Sequence, residues 1–213
     1  MKFVEKGEEP AEFVSWKADA NDDWVPTYAG LAGAPKQALH EALLAEQGWL
    51  CCYCESQIDE TDSHIEHLRP QSDPAVDALD FTNLLCSCQR VTHRGEPVHC
   101  GNAKGNWYDA ALFVVPIDPT CEERFAYTGD GRILPAQQGD DAAAAAAETI
   151  DKLALSARKL NARRVEAMAP FLDEDLAEDE LRRFVTVYLV KGQDGRFNPF
   201  WTTIRHMFGG LQN

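Results

Sequence analysis

Four groups of residues in one short stretch carry most of the chemistry this chain can do. They are Cys51-Cys-Tyr-Cys54, His64-Ile-Glu-His67, Asn83-Leu-Leu and His99-Cys100. Zinc takes a tetrahedron of thiolates or imidazoles, and a Cys-x2-Cys turn presents two sulfurs to one ion. Cys51 and Cys54 fit such a knuckle. Cys86 and Cys88 stand too close together for a second one. Cys88 therefore pairs with Cys100, and Cys86 goes to the core. The polar segment from Gln89 to His99 between them reads as an insertion in the metal-binding loop. Cys52 alternates in direction with Cys51 and is buried, and Cys121 is a plain thiol. Seven cysteines are an odd count, nothing at the N-terminus resembles a signal peptide, and a chain of 213 residues needs no disulfide staples. A disulfide framework is thus the weaker reading.

Glu66-His67 supplies a second chemistry. Metal-assisted phosphodiester cleavage needs an ion to neutralise charge on the phosphate and the leaving oxygen. It also needs a base for the attacking water. Neighbouring side chains of a strand point to opposite faces, so the two reach one substrate only where the strand edge bends. Pro70 is consistent with the strand ending just beyond. Taken alone, a Glu-His pair is ordinary surface. The flanking cysteines and Asn83 give it weight.

His64-Ile-Glu-His67-x-x-Pro70, Asn83-Leu-Leu, Cys88 and Cys100-x-x-x-Lys104-Gly105 resemble the zinc-stabilised HNH, or ββα-metal, nucleases. The opening Met1-Lys-Phe-Val-Glu-Lys-Gly-Glu-Glu-Pro10, Trp16-Lys17 and His99-Cys-Gly-x-x-Lys-Gly105 look like the PtuB family. That family is the HNH subunit of Septu antiphage systems and of one class of retron effector. The resemblance spans roughly residues 1–110 and is most specific over 51–107. It implies that His67 is the general base, that Glu66 binds the catalytic divalent ion, and that Asn83 orients loop and base by hydrogen bonds. Asn102 best fits the last ligand position, with His99 as its competitor and His64 as a further ligand or a partner of Glu66. Asn is a weak ligand, so Mg²⁺ or Mn²⁺ suits that ion better than Zn²⁺. The implied partners are an ABC-type ATPase of the PtuA kind, a retron reverse transcriptase with its msDNA, and a nucleic-acid substrate. DNA is the first expectation and an RNA such as tRNA the second. A treble-clef zinc scaffold that only docks a partner is the non-enzymatic alternative.

The elements that must position these groups form an expected α+β chain in three parts. These are an N-terminal arm and helix (1–48), a zinc-binding HNH core (49–116), and a C-terminal hairpin and helical region (117–213). Residues 1–35 read as an irregular arm anchored by Trp16 and Trp24. A helix from Pro35, with Leu39 and Leu43 at helical spacing, ends at Gly48. A helix is expected from near Asn102 up to Val114-Val115-Pro116, and a hairpin over 117–135. One long helix is expected from the six alanines at 142–147 to Met168, with Ile150, Leu153, Ala157 and Leu160 as its stripe. Further helices are expected over 173–190 and 199–208, the first with Asp173, Glu174 and Asp175 near its start. Phe184 and Tyr188 on the first are candidate docking residues, and Trp201 and Phe208 on the second are packing residues.

Charge is uneven. Residues 1–148 carry 10 Lys and Arg against 26 Asp and Glu, a balance of −16, and residues 149–213 carry 10 against 9, or +1, giving −15 in all. Phosphate contacts want cations. Either a partner supplies them, or the basic face of Lys152, Arg158, Lys159, Arg163 and Arg164 does, the bland alternative being ion pairing with neighbouring acids. No phosphate-cradling glycine loop is present, which argues against ATP binding. No apolar run approaches the roughly 18 residues of a membrane span. The expected location is the cytoplasm.

Overall fold

The N-terminal segment is helical where its one deeply buried aromatic lies. Pro10, in extended backbone, opens α1 (Ala11–Ala18), whose Phe13 is fully buried. Trp16 stacks on Phe13 at 6.0 Å and meets Trp24 edge-on at 5.6 Å, so the expected irregular arm is a helix with an aromatic clasp. α1 packs on α2 (Gly33–Glu46), which has Pro35 in its first turn and buries Leu39, Leu43 and Leu44. Gly48 follows at φ +61°, where a Cβ would stand 2.3 Å from the Phe197 ring. The computed structural model describes residues 1–136, 139–173 and 175–212.

Strands β1 (Ser63–His67) and β2 (Leu84–Cys88) pair antiparallel, with His64 opposite Ser87 and Glu66 opposite Leu85. The helix expected from Asn102 to about residue 113 is a single turn, α3 (Gly101–Lys104). Gly105 stops it at φ +52°, and Asp109 then starts a turn by accepting from the backbone N–H of Ala111. β3 (Phe125–Tyr127) and β4 (Ile133–Pro135) form the second hairpin.

The long alanine-led helix is two helices. α4 (Asp140–Lys152) and α5 (Arg158–Met168) flank a break in which Ala154 takes φ +48°. Leu153 and Leu155 are both fully buried there, so tertiary packing overrides the helix propensity of the run. The break frees the Leu153 carbonyl, which accepts from the backbone N–H of Cys100 at 2.8 Å. α6 (Glu178–Leu189) starts later than expected, its first turn closed by Glu180 accepting from the Ala177 backbone N–H. Asp173 and Asp175 lie in a turn ahead of it, and Glu174 lies outside the described residues. α7 (Trp201–Phe208) is the last α-helix among the described residues, and a 3-10 turn over Gly209–Gln212 follows it.

The main core gathers residues from Met1 to Leu160, drawing on all three parts of the chain. A smaller core joins Met168, Phe171, Val185, Ile204 and Phe208, with Phe171 and Phe184 stacked at 4.4 Å. Phe184 and Tyr188 pack against this second core, as does Phe208 from α7. Trp201 donates to the Leu189 carbonyl at 2.8 Å, a packing role.

Candidate functional site

The turn after α2 delivers the first two cysteines. Gln47 is buried and staples this turn to β2, donating to the carbonyls of Leu50 (2.7 Å) and Cys86 (2.9 Å) while accepting from the Cys86 N–H (2.6 Å). Cys51, Cys54, Cys88 and Cys100 then converge, all buried, with their sulfurs within 4.8 Å of one another. Zn–S bonds of about 2.3 Å imply a sulfur tetrahedron with edges of about 3.8 Å. Cys54 and Cys88 stand 3.8 Å apart, the length of one such edge, and the four-thiol donor set suits zinc. The backbone N–H of Cys88 points at the Cys51 sulfur (3.4 Å) and favours a thiolate there. Burial pushes the Cys52 and Cys86 thiols well above their usual range, and they lie outside the cluster. Cys121 is a core thiol raised by burial to about 12. His99 sits beside the cluster, with Nδ1 3.1 Å from the Cys100 sulfur. It belongs to the thiol site rather than to Glu66.

Glu66 faces the other side of β1. Its Oε2 lies 3.6 Å from His64 Nε2, and its Oε1 accepts from Tyr53 (3.1 Å) and pairs with Lys104 (3.0 Å). His64 and Glu66 share a face because they are two apart on a strand. Gly101 leaves room for them, since a Cβ there would come within 2.5 Å of Glu66 Oε2 and 2.9 Å of His64 Nε2. A carboxylate oxygen and an imidazole nitrogen 3.6 Å apart are a donor pair for a divalent cation. Burial opposes ionisation of Glu66, but the His64 hydrogen bond and the Lys104 ammonium outweigh it and hold the carboxyl below its usual range. Burial, then Glu66, pushes the Tyr53 phenol well up, so it stays a neutral donor.

Asn102 is not brought to this pair. It is exposed and donates to the Gln89 carbonyl at 2.7 Å. The face of α3 turned to Glu66 carries Gly101 and, three residues on, Lys104. Sequence reasoning missed Lys104, Tyr53 and Gln47. The i,i+3 spacing of Gly101 and Lys104 was the available signal for the first. Lys104 is nearly fully buried, and besides Glu66 it donates to the carbonyls of His67 (2.9 Å) and Gly105 (3.3 Å). Losing one partner of a buried ion pair costs about 3–5 kcal/mol, because the other charge is left uncompensated. Lys104→Met is therefore expected to lose about that much stability in urea denaturation. An unchanged midpoint and slope would show that the pair carries no stability.

His67 occupies a different environment from Glu66. Its ring lies edge-on to Tyr28 with centroids 4.5 Å apart. Nε2 stands 3.0 Å from the Ala78 carbonyl, and Nδ1 stands 3.3 Å from the Gln71 side-chain amide. A carbonyl only accepts, so Nε2 carries the proton and Nδ1 the lone pair. Burial holds this imidazole below its usual value, against the pull of the Ala78 carbonyl and Glu66. Asn83 pins both backbone groups of Arg69, accepting from its N–H (2.8 Å) and donating to its carbonyl (2.9 Å). It thereby fixes the loop that leaves β1.

The basic face expected on one long helix is dispersed. Arg164 is buried and donates to the carbonyls of Gly131 and Leu155. Lys152 pairs with Glu148, Lys159 pairs with Glu96, and Arg163 donates to Ser56. The ion-pairing alternative describes Lys152 and Lys159. Among the described residues no helix is long and apolar enough to cross a membrane.

No protein-family model matches the chain. Over 103 residues it is 29% identical to a Vibrio cholerae serotype O1 biovar El Tor protein named "Retron Vc95 putative HNH endonuclease". The match covers 47% of this chain and 48% of the relative, so the chain spans about half the length of the curated relative it matches.

Proposed function

We propose that this chain is a metal-dependent HNH endonuclease that cleaves phosphodiester bonds of DNA, acting as the effector of a retron-associated antiphage complex. The observation that carries the reading is the Glu66–His64 pair, packed against Gly101, in a chain that also gathers four cysteines able to hold zinc. The antiparallel pair β1–β2 followed by α3 supports a ββα-metal arrangement. Glu66 and His64 would hold the divalent ion, Mg²⁺ or Mn²⁺. When bound, that ion supplies neutralisation of charge on the phosphate and the leaving oxygen. His67 Nδ1 takes the proton of the attacking water: the Ala78 carbonyl holds the ring in the tautomer with its lone pair on Nδ1, where the water would replace the Gln71 amide. Lys104 holds the backbone carbonyl of that base, and Asn83 the backbone of Arg69 just beyond it. The resemblance and the acidic balance of residues 1–148 support an ABC-type ATPase partner that supplies cationic surface.

The test is incubation of purified protein with plasmid, single-stranded DNA and structured RNA, in Mg²⁺ or Mn²⁺, with and without the ATPase. Endonucleolytic products that need the added metal are expected on DNA. Products on RNA alone would move the reading to the RNA-cleaving form. No product on any substrate, with the partner present, would leave the zinc scaffold as the better account.

A further inference from the structure

Beside β1, on the side of α2, lies an open cleft of about 370 Å³. Tyr28, Lys36, His40, His64 and Arg90 line it, and Glu60 is the one carboxylate residue in its lining. This is a cationic recess in a chain whose net charge is −15. Arg90 is held by the Glu60 backbone carbonyl (2.8 Å), and among the described residues no carboxylate pairs with it. Lys36 is exposed on α2, its ammonium 5.9 Å from the centroid of the Tyr28 ring. His40 contacts Ser63 at 2.9 Å. Burial, then the positive charge of Arg90, keeps the His40 imidazole below its usual value. The cations therefore converge on one volume.

The position of the cleft matters more than its charge. His64, on its wall, is the partner of Glu66 at 3.6 Å. Tyr28, on another wall, packs its ring against His67. The recess thus has one proposed metal ligand, His64, in its lining, and Tyr28 stands between it and the proposed base. Its volume lies at the small end of ligand pockets, which run from about 300 to 1,000 Å³. That suits one nucleotide of an unpaired strand and is too small for a duplex.

We propose that this cleft seats the substrate strand: Lys36 and Arg90 take phosphates of a single-stranded nucleic acid, and the half-buried Tyr28 offers its ring to a base or sugar. This rests on the nuclease reading for its purpose but not for its test, which measures binding. Stacking on aromatic side chains and cationic tracking of the backbone are the usual means of holding an unpaired strand without sequence preference.

The experiment is fluorescence anisotropy of a labelled short oligonucleotide with the full chain in Ca²⁺, without Mg²⁺ or Mn²⁺, across a salt series. The probes are a single strand, its duplex and a free mononucleotide. Each phosphate contact to a single strand contributes about 0.7 to the slope of log K against log salt. The Lys36→Gln, Arg90→Gln double variant should lose about 1.4 from that slope and bind the single strand about tenfold or more weakly at low salt. Lys36→Gln alone, an exposed helical change with no expected effect on folding, should lose about half of that slope. Lys152→Gln, which removes an equal charge from α4, should bind as wild type. Equal binding and slope in the variants and wild type would overturn the cleft, as would wild-type protein that binds no single strand. Duplex bound as tightly as single strand, with the same sensitivity to Lys36, would overturn the unpaired-strand assignment. Metal-dependent cleavage with unchanged binding in the variants would sink the cleft and leave the nuclease reading standing.

Discussion

Cys54→Ser is expected to yield protein that holds no stoichiometric zinc and has lost the cooperative unfolding of the wild type. Structural zinc in small metal-folded units contributes about 10–16 kcal/mol at neutral pH, as much as the whole stability of an ordinary domain at about 5–15 kcal/mol. The larger core here tempers that figure, but the four thiols are wired into it. Gln47 ties the first knuckle to β2, and the Cys100 N–H reaches the α4–α5 break through Leu153. Glu55, just after Cys54, accepts from the Thr202 N–H (2.7 Å) and pairs with the Met1 ammonium (2.8 Å), so α7 hangs on the same turn. Loss of the ion should propagate along these contacts. Native mass spectrometry and zinc analysis should find about one tightly held ion in wild type and in Cys121→Ala, whose sulfur lies in the core near the Met1 and Pro116 carbonyls. Cys88→Ser should behave as Cys54→Ser does. Folded, zinc-free wild type would reduce these cysteines to core residues.

How much of this was legible beforehand follows from what each feature depends on. The cysteine set was legible because ligand chemistry limits the choices. Two residues of spacing make a knuckle, and Cys86 was too close to Cys88 to join. The second hairpin and α2 were legible because the Gly129-Asp130-Gly131 turn, Pro35 and Gly48 are local signals. The α4–α5 break was not, because nothing local in an alanine-led run announces it. Burial of Leu153 and Leu155, and a carbonyl recruited by Cys100, decide it from elsewhere in the fold. The length of α3 was misread for a related reason: Gly105 at positive φ stops it after one turn, and a helix so short can present only Gly101 and Lys104 to Glu66. Asn102 was expected there from its place after the fourth cysteine, but chain order does not fix which way a side chain leaves a helix. The fate of the basic helix was equally hidden. Arg164 became a buried structural cation, while the cationic recess formed at Lys36 and Arg90, residues 54 positions apart in an acidic segment.

His67→Ala is expected to lower the cleavage rate by about 10²- to 10⁴-fold, the usual contribution of a positioned general base. Several features single this residue out. The imidazole is held below its usual value by burial, so it is unprotonated at neutral pH and able to accept a proton. Nε2 faces the Ala78 carbonyl, which leaves Nδ1 as the basic atom. Asn83 fixes the loop immediately after it. The pH dependence has a definite sign. A His67 base, as proposed, works only when neutral, so activity is expected to fall as pH drops through its pKa. Because that pKa lies below the ordinary imidazole value of about 6.5, the acid limb of kcat/KM should fall below about pH 6.5, and the rate should be flat above it until another group intervenes. Truncation also leaves the Ala78 carbonyl without its donor, at a cost of about 1–3 kcal/mol if no water reaches it. His67→Gln separates the two effects, because a Gln amide can donate to that carbonyl but is not a base at these pH values. Both variants should be inactive to a similar degree, and Gln should be the more stable of the two in thermal melts. Wild-type rates in either variant would remove His67 from the reaction. An acid limb that persists unchanged in a residually active His67→Gln protein would place the titrating base elsewhere.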